Sequence, residues 1–559
     1  MRRAILLSIA LTSLSSKGAA SSGACYALRP TAPDAAWSYA GAPVTAFDTP
    51  QGRVRVWFTL EGRHAPAGAQ AEQTPLAALA AGSAAEQALE RFEALGFRLP
   101  LADSPSTPCP DVGGDARLDI YLYDFGAADG TIAVEQCSTN GVARCAGFVI
   151  VENDFSGKGY GDPLEGYRTV VPHELFHLVQ YSYSDNGETW WAEGSAQWAA
   201  QQVFPGLRDL EAFLPAFFGR SDRPLDFPPV GAAASFSYGA AIWPVFLSER
   251  HQSSIVRGVF EGLGEGAAGV LAATEAALHD RGASLDAAFT EFSRWNAATG
   301  ARAGSSGYAR AADYPEVIAE PLPDEVPSST AGALAGLSAR YFRLGVGARR
   351  RVRLVGNGER LSAGFVPFAG EEARLSRARS LPLETSDGGV VVVSGRARDH
   401  RDVPFTLLVE EAPATGEPSG DAAAGAGGAA PSNGAGGDRS GQLDDVPSEP
   451  EPYDLPLDSD SAAADEAPPR ASGGCCIAMA ARSSHSSWHI AVALAVAAGR
   501  RRRLARSCPR NEAAHRTPRV HCSHPMRENR HAPLLEIMQR TLSGHPGVRR
   551  RLRGLRRQP

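Results

Sequence analysis

Polar and apolar residues alternate through residues 53–60, Arg-Val-Arg-Val-Trp-Phe-Thr-Leu, which predicts a strand with one buried face. The period then lengthens. Leu76, Leu79, Leu89, Phe92 and Leu95 recur at helix-compatible spacing, and Gly96 supplies the stop. Residues 119–124 and 146–151 are short runs rich in β-branched and aromatic side chains and predict two more strands. From Tyr167 to Gln202 the pattern is helical again, broken into two stretches by the turn cluster Ser184–Gly187. More helix is expected over residues 240–250 and 267–279. Beyond a proline-rich bridge, Pro315–Pro327, residues 340–344, 351–355, 389–393 and 404–409 read as strands at sandwich-like spacing. The expected class is α+β: a small mixed sheet with helices, followed by a small β-sandwich over residues 328–410.

Residues 411–472 are Gly, Ala, Ser, Pro and acids with almost no large apolar residues. Such a stretch cannot bury a core, so a disordered acidic stalk is expected. At the other end, Arg2-Arg3 precedes a short apolar run from Ala4 and then small residues to Ala24. This predicts a secretory signal peptide over residues 1–24 and an exported protein. Export favours pairing of Cys25, Cys109, Cys137 and Cys145. Of the three connectivities open to four cysteines, Cys137–Cys145 with Cys25–Cys109 is the first choice. None of the four lies at CxxC spacing, which argues against a zinc site made from them.

Charge is distributed unevenly. The net charge of −7 combines 17 arginines against three acids from Arg500 onward with an acidic remainder. A body this acidic argues against nucleic acid as the main partner, because phosphate binding needs a positive surface. Near the basic end stand Gly473-Gly474-Cys475-Cys476, an apolar stretch around Trp488–Ala498, and Arg500–Arg503. This pattern resembles the myxobacterial C-terminal sorting signal, MYXO-CTERM. The resemblance implies membrane anchoring over residues 473–503, a sorting machinery as partner, and a cell-surface or outer-membrane location. Arg482 and His485 interrupt the apolar stretch, and residues 504–559 continue as a basic tail expected to be disordered. The β segment before the stalk is similar to the bacterial pre-peptidase C-terminal domain, a small sandwich appended to secreted proteases.

The chemistry is concentrated in His173-Glu174-Leu-Phe-His177. On a helix, residues four apart share a face, so both imidazoles can aim at one metal ion, with Glu174 beside them for proton transfer. Two neutral imidazoles suit Zn²⁺. Downstream, Thr189-Trp190-Trp191-Ala-Glu193-Gly-Ser-Ala-Gln197-Trp198 resembles the second helix of the gluzincin metallopeptidases. That resemblance implies a zincin-like catalytic domain over residues 111–315, with residues 25–110 as its N-terminal part or a propeptide. It makes Glu193 the third ligand, with Glu188 and Asp185 as alternatives. Fifteen residues separate His177 from Glu193, fewer than in the best-known gluzincins, and the turn at Ser184–Gly187 would fold the second helix back. Tyr238 resembles the tyrosine of aminopeptidase-like gluzincins that steadies the oxyanion, with His251 as the alternative donor.

Several further expectations accompany this reading. Pro172 stands immediately before His173, so the first helix should start late, near Val170, or kink there. The strand at 146–151 precedes it, as the substrate-pairing edge strand does in that clan, and an ordinary core strand is the other reading of the same residues. No Gly-x-Met-x-Asn loop is present, which favours an endopeptidase acting on protein or peptide over an exopeptidase. Asp111, Asp115, Asp154 and Asp162 are candidate Ca²⁺ ligands without EF-hand spacing. The rival reading is a non-catalytic surface adhesion protein on a metallopeptidase fold.

Overall fold

A computed structural model describes residues 25–413, apart from 68–72, 103–108, 110, 112, 127, 139–140, 186, 228–233 and 397–398. The expected signal peptide, nearly all of the stalk, the sorting segment and the basic tail lie outside the described residues. Within them the chain is α+β, with small mixed sheets and helices.

The first sheet contains β1 (Val44–Asp48), β2 (Val54–Thr59), β3 (Leu118–Tyr123), β4 (Gly130–Cys137) and β5 (Cys145–Glu152) in the order β1-β2-β3-β5-β4. The pairs β2/β3 and β3/β5 are parallel, while β1 and β4 run antiparallel to their neighbours. Parallel β2 and β3 require a crossover, and α1 (Leu76–Ala94) provides it. Its buried face is mostly alanine: Ala78, Ala81, Ala84, Ala85 and Ala88. Small side chains let the helix lie close to the sheet. A β-carbon at Gly82 would come within 2.9 Å of Thr49 Cγ2.

Of the two roles open to residues 146–151, substrate-pairing edge strand or ordinary core strand, the structure shows the second. That run belongs to β5, which lies between β3 and β4, and β4 forms the edge. The reason is compositional. Phe148, Val149, Ile150 and Val151 are all fully buried, as befits a strand covered on both faces, whereas β4 carries Thr131, Glu135 and Gln136. Cys137 and Cys145 stand opposite each other in the β4/β5 ladder and are bonded, and Cys25–Cys109 is the second disulfide. Both agree with the expected pairing, and both suit an oxidising compartment.

The helices that follow are α2 (Pro163–Tyr181), α3 (Thr189–Val203), α4 (Asp209–Phe218), α5 (Ala234–Gly239), α6 (Ile242–His251), α7 (Ser254–Gly264), α8 (Val270–His279) and α9 (Leu285–Asn296). Those over 209–218, 254–264 and 285–296 go beyond the helices expected from the pattern. An edge-to-face aromatic group, Phe92, Phe97, Phe176, Trp198 and Phe260, joins α1, α2, α3 and α7 in one core. Among the described residues no helix is long and apolar enough to cross a membrane.

Strands β6 (Ala319–Pro321), β7 (Ser328–Leu334), β8 (Ala339–Leu344), β9 (Arg350–Gly356), β10 (Leu361–Ala369), β11 (Glu372–Ala373), β12 (Arg379–Ser380), β13 (Leu383–Thr385), β14 (Gly389–Gly395) and β15 (Val403–Glu411) complete the described chain. They form one sheet ordered β11-β10-β14-β8-β6, with β12 also on β10, and another ordered β13-β9-β15-β7. Phe342, Phe365, Val391 and Val393 of the first share a cluster with Val352, Phe405 and Leu407 of the second. Val390 and Val392 alternate to the other face and join the main helical core instead. Covered on both sides, all of β14 is buried.

Candidate metal centre

Helix α2 begins where Asp162 accepts a hydrogen bond from the Leu164 backbone N–H at 3.0 Å, with Pro163 in the first position. Of the two expectations raised by Pro172, a start near Val170 or a kink, the first is too late by about two turns. The helix runs on through Pro172, whose ring nitrogen offers no N–H to the Arg168 carbonyl. Packing offsets that loss. Every residue from Thr169 to Gln180 is buried between the first sheet and the neighbouring helices.

His173 and His177 sit one turn apart, with ring centroids 4.8 Å from each other. After the turn, α3 runs back along α2. Gln180 donates to the Ala192 carbonyl near one end of the pair, and Gln197 bonds His173 further along. This return places Glu193 Oε2 3.2 Å from His173 Nε2 and 3.7 Å from His177 Nε2. The three side chains form a buried group that could hold a metal ion. Ligand atoms about 2 Å from an ion in tetrahedral geometry lie about 3.3 Å from one another. The observed spacings bracket that value, and two nitrogens with one carboxylate oxygen match the donors that zinc accepts.

The imidazoles are held in a ligating orientation. The Gln180 side-chain amide donates to the Ala192 carbonyl at 2.8 Å and to Ser195 Oγ at 3.2 Å. Its oxygen therefore faces His177 Nδ1, 3.0 Å away, and accepts the ring N–H. That tautomer leaves the lone pair on His177 Nε2, a buried atom with no hydrogen-bond partner. Gln197 acts similarly on His173 and donates its own amide N–H to Asp209 at 2.6 Å. Burial pushes both imidazoles down to a pKa of about 4, so both are neutral at pH 7. Burial also raises Glu193, to about 7, opposed by His177 and by a hydrogen bond from Tyr238. No lysine or arginine is among the groups acting on Glu193.

Glu174 is completely buried. Its carboxylate lies against the first residue of β4, where a β-carbon on Gly130 would approach Oε1 to 3.1 Å and the Val170 side chain to 2.7 Å. Glycine at 130 is what lets helix and strand approach there. Tyr238, from α5, stacks on Phe213 at 4.9 Å and has its ring 6.0 Å from that of His173. The structure thus brings all five expected site residues, His173, Glu174, His177, Glu193 and Tyr238, into one region. A small cavity of about 10 Å³ is lined by His173, Gln197, Asp209 and Tyr238 together with Tyr160 and Phe213. That is room for about one water molecule.

The alternatives lie elsewhere. Glu188 accepts from the Val270 N–H and the Trp190 indole and so ties the start of α3 to α8. Asp185 is exposed in the turn, and His251 closes α6 against Phe246. The four candidate calcium acids are not assembled. Asp111 accepts from Thr31 and the Gly113 N–H, Asp115 is held by Arg117, Asp154 bonds the Ser156 N–H, and Asp162 caps α2. Among the described residues, only His173, His177 and Glu193 form a group with metal-ligand spacing. Gln180, Gln197 and Asp209 were not singled out from sequence as site residues. The only trace in the sequence is the spacing of the two glutamines, three after His177 and four after Glu193, which is no motif by itself.

No family model matches this chain, and no curated protein matches it.

Proposed function

We infer that the chain is a secreted zinc-dependent metalloendopeptidase of the gluzincin type. The observation that carries this reading is the convergence of Glu193 on the two imidazoles of a His-Glu-x-x-His helix that also buries Glu174. A purely structural metal site needs no additional carboxylate beside its ligands, whereas hydrolysis needs a base. Zn²⁺ held by His173, His177 and Glu193 would supply Lewis acidity, polarising a peptide carbonyl and acidifying water. Glu174 accepts a proton from the attacking water and passes it to the leaving amine. The Tyr238 hydroxyl, now turned to Glu193, donates to the oxygen that gains charge as the carbonyl becomes tetrahedral. Gln180 and Gln197 fix ring orientation, so neither imidazole turns away.

The β region over 328–410 serves as an appended sandwich, and the Gly-Cys, apolar and arginine pattern near the end directs surface anchoring. The test is casein or gelatin hydrolysis by wild type and Glu174→Gln, both loaded with zinc. Hydrolysis by wild type alone supports the reading. Equal signal from both, or none from zinc-loaded wild type on any protein substrate, leaves the adhesion reading in its place.

A further inference from the structure

Away from the metal centre, α9 faces β10 and β12 across a groove of about 770 Å³, within the size range of small-molecule sites. Its walls mix apolar and polar surface. Three guanidinium groups, Arg250, Arg294 and Arg396, line it together with a series of hydroxyls that includes Ser362 and Ser380. Glu291 and Asp286 also border it, but Glu291 is held by Arg250 at 2.7 Å. Arg294 is the informative member. It donates through Nη2 to Ser380 Oγ at 3.2 Å, while its Nε is buried and has no hydrogen-bond partner. Arg294 as a whole is half-buried, and burial lowers its pKa, with Glu291 opposing. Nε and Nη2 each lie 2.8 Å from where a β-carbon on Gly364 would be, so glycine at that position of β10 makes room for the guanidinium.

We propose that this groove is a binding site for a small oxyanion, a carboxylate- or phosphate-bearing molecule held by Arg294 with Arg396 and the serine hydroxyls. Guanidinium groups suit a carboxylate or phosphate, and with Arg294 Nε and Nη2 turned to β10, its remaining N–H groups, Arg396 and the hydroxyls are the donors for the ligand. The groove is walled by α9 on one side and by β10 and β12 on the other, so the bound anion would bridge helical and β regions. It would also raise their stability by mass action. The site is independent of the metal centre and does not rest on the peptidase reading.

The experiment titrates full-length protein with citrate and, separately, inorganic phosphate by calorimetry at constant ionic strength. Thermal melting is run in parallel. Wild type, Arg294→Gln, Ser380→Ala and Arg396→Gln are compared. Arginines near the C-terminus attract anions in every variant alike, so the difference between variants isolates the groove. The expected result is one saturable site, weakened about tenfold or more in Arg294→Gln, with the unliganded melting temperature kept. Should Arg294→Gln fail to fold, weakening in Arg396→Gln and Ser380→Ala carries the same meaning. Binding of citrate alone identifies a carboxylate ligand, and binding of phosphate alone a phosphate ligand. Absence of saturable binding by both, or equal affinity in wild type and every folded variant, overturns the proposal.

Discussion

Two polar groups are buried on opposite faces of the first sheet, and their chemistry differs. On the face away from α2, Arg29 binds Glu135 through Nε and Nη2 at 2.7 and 2.8 Å and also pairs with Asp119. Tyr121 and the Trp57 indole complete that network. Negative charge there is met by a guanidinium and hydrogen-bond donors, so the cluster is closed. On the helix face, Glu193 is met by two neutral imidazoles and a tyrosine hydroxyl, and His177 Nε2 has no hydrogen-bond partner. Burying a carboxylate without a cation is expensive. The first group is satisfied by protein partners, whereas the second is one that could hold a metal ion. Burial alone therefore does not separate the two groups, while the chemistry of their partners, a guanidinium in one and neutral imidazoles in the other, does.

Substitutions can break each side of this contrast. The largest effect is expected for Glu174→Gln, which should lower peptide hydrolysis by about 10²–10⁴-fold while metal content stays the same. Loss of metal from this variant would show that Glu174 helps bind the ion and does not act as base. Arg29→Met should destabilise the fold by about 3–5 kcal/mol in denaturant titration, because two buried carboxylates lose their partner. Metal affinity of the folded fraction should not change. Smaller still, Gln180→Leu and Gln197→Leu should each weaken zinc binding about 10–100-fold in chelator competition. An unchanged affinity in both would mean that the glutamines only join α2 to α3.

The contrast also explains what could be read from the sequence. The His-Glu-x-x-His spacing and the Glu193 segment are local patterns, and the helical return at Ser184–Gly187 turned them into a site as expected. Cys137–Cys145 was legible because it closes a short hairpin. Position in a sheet was less so. The strand before α2 lies inside the sheet because β4 adds to its outer side, an arrangement set by pairing and not by the apolar run alone. The late start that Pro172 suggested for α2 does not occur, because tertiary burial holds the helix through it. Gln180 and Gln197 carry no motif. Their role appears only when α3 lies against α2 and each amide finds an imidazole and a backbone or carboxylate partner. Arg29 is similar, since its acids are 90 and 106 residues away.

The most direct test is metal analysis of purified full-length protein, for wild type and Glu193→Ala, with folding of each confirmed by thermal melting. The account predicts one zinc per chain in wild type and a loss of most of it in Glu193→Ala. A folded Glu193→Ala variant that keeps its full zinc content, or a wild type that takes up none, would contradict it.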